Sequence, residues 1–186
     1  MSSKLCLIAM SLAVPLFSGG LSMQDVDGRE VKPLDPAGPA EILFFITNDC
    51  PVANFYAPEI QRICGQYAGK GISCTLVYSD PQLDAAAIRK HRAEFGYTAM
   101  PSIAAVQDVH HKIADATGAL ITPEAVVVGK TGKVLYRGRI DNFYAALGKP
   151  RRQATQHDLR QALDEVLAGK PVTHPQTQAV GCYIPR

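Results

Sequence analysis

The sequence predicts an α/β sandwich on a mixed central sheet with an N-terminal β-hairpin extension. Three observations carry this reading. Residues 41–47 (EILFFIT) form a continuous apolar run, as a strand buried on both faces requires. Two strand-then-helix alternations follow one another between residues 41 and 95, which is the pattern of parallel strands linked by helices. Residues 124–140 then read as two strands joined by Lys130-Thr131-Gly132-Lys133, a tight antiparallel turn.

Each element follows from local chemistry. Residues 23–34 hold Asp27-Gly28 between short alternating stretches, a hairpin signal. A loop, Asp35-Pro36-Ala37-Gly38-Pro39, leads into the apolar strand, whose end meets Cys50. Pro51 suits a first helical position, and Pro58, Ile60, Ile63, Cys64 and Tyr67 mark a helix ending near residues 69–71. Residues 72–78 (ISCTLVY) are a second strand, and residues 83–95 have helical composition up to Gly96. Residues 102–106 suit a short strand, residues 110–120 a helix containing Gly118, and residues 124–128 and 134–140 the hairpin strands. Residues 158–167 place Leu159, Ala162, Leu163 and Val166 at helical spacing, with Gly169 as the stop. A Pro/Thr/Gln-rich tail, residues 170–186, closes the chain and is expected to be mobile.

Composition excludes several function classes. The chain has 186 residues, 47% hydrophobic and 19% charged, which suits one folded core. Lys+Arg 19 against Asp+Glu 17 leaves a formal charge of +2 without a basic cluster, so nucleic acid is not an expected partner. No apolar stretch reaches the ~18 residues of a bilayer span, and none is expected in the mature domain. Lys4, the apolar residues 5–17 and the small residues Ser18-Gly19-Gly20 make the three parts of a secretory signal. The domain division is therefore a signal at 1–22, a folded domain at 23–169 and a cysteine-containing tail at 170–186, located in the periplasm or secreted.

Export leaves Cys50, Cys64, Cys74 and Cys182 in a compartment where disulfides persist, with three connectivities open. Cys64 and Cys74 read as two reduced core thiols, because free cysteine behaves as a small buried hydrophobe. Cys50 stands at a helix N-terminus, where unpaired N–H groups and the helix dipole favour the thiolate, the nucleophilic form. Cys182, beside Gly181 in the tail, is suited to attack a modified Cys50 and close a disulfide. Asp108, His110 and His111 are close enough in sequence to suggest metal ligands, with an aspartate at a helix start as the plainer reading.

The order of elements, Cys50 at the first strand-to-helix junction, and Thr122-Pro123 before the hairpin together resemble the thioredoxin fold. More closely, TNDCPVANFYAPEI (47–60), TPEAVVVGKTGKVLYRGRIDN (122–142) and AVGCYIPR (179–186) resemble exported redoxin-domain proteins, grouped with the alkyl hydroperoxide reductase and thiol-specific antioxidant proteins. The resemblance implies a three-layer α/β/α sandwich. It implies a cis Pro123 that, with Thr122, pairs with an extended substrate peptide beside Cys50, and a Thr47 hydroxyl offered to the sulfur. It implies no cofactor.

Departures from two parent families shape the mechanism. Thioredoxins carry C-x-x-C, but Ala53 stands three residues after Cys50, so the resolving thiol must be distant. Peroxiredoxins carry P-x-x-x-T-x-x-C and a peroxide-binding arginine; here Leu43 replaces the proline and residues 122–124 hold no arginine. Arg137 and Arg139 could stand in, although a solvated strand face is the expectation for both, as strand-edge exposure is for Glu124. Copper-delivery relatives carry C-x-x-x-C-P, but Ile46 stands four residues before Cys50, and one sulfur is a poor copper site. Three functions stay open. The chain is a thiol oxidoreductase working with a protein thiol or disulfide partner and an external reductant, a peroxide-consuming peroxidase, or a non-catalytic module that binds a partner or a metal.

Overall fold

A computed structural model describes residues 21–186. The predicted signal lies outside the described residues, apart from its last two. The N-terminal hairpin is present: β1 (Met23–Gln24) pairs antiparallel with β2 (Glu30–Val31), turning at Gly28 with φ +82°. Then come β3 (Ala40–Ile46), α1 (Pro51–Ala68), β4 (Ser73–Tyr78), α2 (Ala85–Glu94), β5 (Ile103–Gln107) and α3 (Lys112–Thr117). The chain continues through β6 (Ile121–Thr122), β7 (Glu124–Gly129), β8 (Val134–Gly138), β9 (Tyr144–Ala146), β10 (Lys149–Pro150), α4 (Asp158–Leu167) and β11 (Cys182–Tyr183).

The main sheet has the order β5-β4-β3-β7-β8, with β4 parallel to both β3 and β5, and β7 antiparallel to β3 and β8. All seven residues of β3 are buried. Alternation divides them between two faces. Ile42, Phe44 and Ile46 pack with Ile60 and Ile63 of α1 and Leu159 and Leu163 of α4; Leu43 and Phe45 pack with Ile113 and Ala114 of α3. Helices on both faces of a mixed sheet make the expected three-layer α/β/α sandwich. Cys50, directly after β3, is thereby fixed at the C-terminal edge of the central strand.

Four expectations need correction. The helix predicted at 110–120 spans only Lys112–Thr117: Gly118 takes φ +73° and stops it, while the buried Asp108 carboxylate accepts the N–H groups of Ile113 and Ala114 at 3.0 Å. Cys64 and Cys74 are bonded rather than reduced, because α1 lies against β4 with their Cα atoms 5.9 Å apart, within disulfide reach. The β9–β10 hairpin follows β8 where no element was expected, antiparallel but irregular in register.

The tail, expected to be mobile, is pinned along its length. Arg137 N–H donates to Pro175 O at 2.9 Å and Thr177 N–H to Arg137 O at 3.0 Å. β11 pairs antiparallel with β6, Ile184 is buried against the α3 face, and Arg186 pairs with Asp115 at 2.9 Å. Its few apolar residues dock singly, so no periodic pattern marks them in the sequence.

Candidate active site around Cys50

Cys50 is the N-cap of α1, with extended backbone angles and Pro51 at the first helical position, where the missing N–H is no loss. Its side chain is 1% exposed. As a thiol it donates to Thr122 O at 3.1 Å, across the cis Thr122-Pro123 bond region. Strand pairing sets Cys182 directly opposite Thr122, so the two distant cysteines meet on opposite sides of one residue. No other free cysteine occurs among the described residues.

The two sulfurs ionise differently. Burial pushes the Cys50 thiol up, but the Cys182 thiol, the Ala53 N–H, Thr122 and the Cys182 N–H together outweigh it and hold Cys50 below its ordinary value. Burial first, then the hydrogen bond and charge of Cys50 and the charge of Asp49, push Cys182 up to about 11. Of the two thiols, Cys50 is the more readily ionised. Once Cys50 is bonded to another sulfur, its charge disappears and the second and third influences on Cys182 disappear with it.

Thr122 and Pro123 thus stand beside Cys50 as expected, and Thr122 is buried. Thr47 is buried just past the end of β3, and the Cys50 thiol donates to the backbone of Thr122. Glu124, expected at an exposed edge, is buried; its carboxylate accepts the N–H groups of Leu120 and Ile121 at 2.8 and 3.2 Å and so braces the loop that carries Thr122.

Both arginine candidates are half-buried and bonded to neighbouring groups. Arg137 hydrogen-bonds Gly118 O and faces Glu124 at 3.8 Å; Arg139 holds Asp158 through two nitrogens, at 2.8 and 3.0 Å. Each is paired with a carboxylate, which explains its partial burial. The groups that act most on Cys50 are neutral dipoles. Asp108 is occupied as a helix anchor, His111 Nε2 meets Pro185 O at 2.7 Å, and no group of three possible metal ligands occurs among the described residues.

One relay carries no sequence motif. Asn54, in the first turn of α1, donates through Nδ2 to Asn48 O at 2.9 Å, bracing the loop before Cys50. Its Oδ1 lies 2.9 Å from His91 Nε2, and His91 Nδ1 lies 2.7 Å from Tyr78 Oη. The consistent assignment puts the His91 proton on Nε2, with Tyr78 donating to Nδ1. Burial holds His91 below its ordinary pKa, in the neutral form that this chain of bonds needs. Asn54 of α1, Tyr78 of β4 and His91 of α2 meet only where these three elements pack together.

Comparisons with known proteins agree with this architecture. Residues 13–137, more than half of the chain, match the model of the AhpC/TSA family. A crystal structure of an uncharacterized conserved protein from Geobacillus kaustophilus is 28% identical with a TM-score of 0.76, covering 89% of this chain and 87% of that one. A hypothetical protein from Sinorhizobium meliloti is 26% identical at TM-score 0.72, covering 88% and 89%. A secreted Mycobacterium tuberculosis disulfide oxidoreductase is similar in fold alone, at 14% identity and TM-score 0.53, covering 80% and 95%. No curated protein matches the chain.

Proposed function

Because this chain belongs to the AhpC/TSA family, with a thioredoxin-fold redoxin domain, we propose that it is an exported thiol–disulfide oxidoreductase whose working pair is Cys50 and Cys182. The observation that carries the reading is Cys182 held opposite Thr122, whose carbonyl oxygen accepts the Cys50 thiol at 3.1 Å. In the cycle, the Cys50 thiolate attacks one sulfur of a substrate disulfide. A Cys50–substrate bond forms, the substrate bond breaks, and one substrate thiolate leaves. Cys182 gives up its proton to solvent and attacks the Cys50 sulfur, closing Cys50–Cys182 and releasing the second thiolate. Two electrons have passed to the substrate, and an external dithiol restores both cysteines. Thr122 and Pro123 present the backbone beside the sulfur, Thr47 closes the end of β3 beneath the loop, and no cofactor enters.

Export to the periplasm or beyond is supported by the three-part pattern of residues 1–20 and by the Cys64–Cys74 disulfide, a bond that persists in oxidising compartments. Reduction of a peroxide is the alternative within the family. Against it stands the pairing of Arg137 with Glu124 and of Arg139 with Asp158, which offsets the positive charge that a developing oxyanion would call on.

The test is turnover with a dithiol reductant, using a protein disulfide and hydrogen peroxide as separate substrates. The expected result is protein-disulfide reduction by the wild type, loss in Cys50→Ser, and a trapped mixed disulfide in Cys182→Ser. Peroxide consumption outpacing disulfide reduction would reverse the assignment.

A further inference from the structure

Glu41 is the one charged residue of β3, and the thiol chemistry does not use it. It is the second residue of the strand, five steps before Ile46, and so lies roughly 17 Å along β3 from the end that carries Cys50. Strand alternation puts it on the same face as Leu43, and register sets Ser73 beside it and Thr75 beside Leu43. α3 has only six residues, about 9 Å of helix, and packs on that face at Leu43 and Phe45. The part of the face farther from Cys50, from Glu41 across Thr75 to Ala104, is left to β2 and the loop after it. They cover it without filling it. A cavity of about 550 Å³ lies there, lined by Glu41, Thr75 and Ala104 on the sheet and by Val31, Pro33 and Pro36 of the N-terminal segment.

The carboxylate in this wall has no cation. Glu41 is 6% exposed; Ser73 Oγ donates to one of its oxygens, and Thr75 Oγ1 donates to the other at 2.6 Å. No lysine, arginine or histidine pairs with it among the described residues. A carboxylate accepts at about four positions, so about two remain open. Holding a negative charge here without a partner is costly, and burial accordingly pushes Glu41 above its ordinary value. The rest of the lining has the same sign. Exposed Glu30 and Asp35 belong to it, and since Arg29 is held by Asp25 at 2.7 Å, only Lys32 is left to balance three carboxylates. A hard metal ion asks for about six or more oxygen ligands, which one carboxylate and two hydroxyls do not supply. The volume falls in the range of roughly 300–1,000 Å³ that small organic molecules occupy.

We propose that this cavity is a binding site for a small organic cation, an alkylamine or diamine whose ammonium group meets the Glu41 carboxylate. The ammonium donates to the open acceptor positions of Glu41, the carbon chain lies against Val31, Pro33 and Pro36, and a second ammonium is drawn to the exposed carboxylates of Glu30 and Asp35. Pro33 and Pro36 stiffen this wall, so little ordering is needed on binding. The site stands apart from the thiol pair and does not rest on the reading of Cys50.

The experiment titrates the purified protein by calorimetry with 1,5-diaminopentane and, separately, with pentan-1-ol and sodium pentanoate, while backbone amide chemical shifts report where each one binds. The expected result is saturable one-to-one binding of the diamine, shift changes confined to residues 29–37, 41, 73–75 and 102–104, and no binding of pentanoate. The diamine is expected to bind about tenfold or more tighter than the alcohol, as a charge-assisted hydrogen bond implies. Glu41→Gln, which keeps an oxygen to accept from Thr75, is expected to lose about tenfold or more in affinity for the diamine. Ala104→Met, which fills the floor and leaves every charge in place, is expected to weaken diamine and alcohol alike, and it keeps the test decisive where Glu41→Gln does not fold. Cys50→Ser should bind the diamine as the wild type does. Equal affinity for diamine and alcohol, unchanged diamine binding in a folded Glu41→Gln or Ala104→Met protein, shift changes elsewhere, loss of binding in Cys50→Ser, or no diamine binding up to about 10 mM would each overturn the proposal. Displacement of the diamine by an equal concentration of calcium would assign the cavity to a metal ion and overturn it too.

Discussion

Replacing Ile184 with alanine tests whether the docked tail is what seals Cys50. Ile184 is 5% exposed and packs on the α3 side of the sheet, two residues beyond Cys182. Truncating a buried isoleucine to alanine costs about 2–5 kcal/mol, and a site near a chain end relaxes more easily, which favours the lower bound. If the loss falls on docking of the tail, about 2 kcal/mol raises the open population roughly 30-fold. Cys50 is 1% exposed when the tail is docked, so an alkylating reagent reaches it only from the open form. The assay is the iodoacetamide labelling rate of Cys50 by mass spectrometry, in a Cys182→Ser background, with circular dichroism reporting the fold. The expected rate is tens of times that of the Cys182→Ser parent. A folded Ile184→Ala protein labelled within threefold of the parent would refute the claim that the tail covers the thiol.

Three further outcomes follow from the same geometry. Cys182→Ala removes a thiol donor from Cys50, so the midpoint of the ultraviolet thiolate absorbance should move upward on the pH axis, and an unchanged midpoint would mean that Cys182 does not stabilise the charge. Cys64→Ser/Cys74→Ser opens a bridge between residues 10 apart in sequence; loop-closure entropy puts the loss at about 2.8 kcal/mol, measurable by urea unfolding against the oxidised wild type, and a loss below about 0.5 kcal/mol would contradict it. His91 has its folded pKa depressed by burial, so as pH falls below the ordinary histidine value the unfolded chain takes up the proton first and stability declines; above that value the contribution is complete. His91→Gln should flatten this part of the urea-midpoint profile, and an identical profile in the variant would place the acid sensitivity elsewhere.

The strands of the main sheet were legible because burial on both faces leaves a continuous apolar run, as in residues 41–47, and α4 because its apolar positions fall on one helical face. Cys50 was legible from its place between such a strand and Pro51. The resemblance of the 122–142 segment pointed to Pro123. What escaped depends on contacts between elements that no local pattern encodes. β6 and β11 have two residues each, too few for a period, and their pairing is fixed by the docking of Ile184 and the narrowness of Gly181. The Asn48–Asn54–His91–Tyr78 relay joins residues from three elements and a loop. The engagement of Arg137, Arg139 and Glu124 reflects carboxylates and carbonyls brought near by the fold, whereas composition alone predicts charged residues in water.

The central claim is that Cys50 and Cys182 form one reversible redox pair while Cys64–Cys74 stays apart. The most direct measurement is a redox titration of the purified protein, with peptide-mass mapping of every disulfide at each potential, in wild type, Cys50→Ser and Cys182→Ser. The expected result is a single reversible transition in the wild type, within the range of known thiol oxidoreductases, that creates a Cys50–Cys182 peptide pair and is absent from both variants. A transition in which Cys182 joins Cys64 or Cys74, or in which Cys50 remains a free thiol throughout, would contradict it.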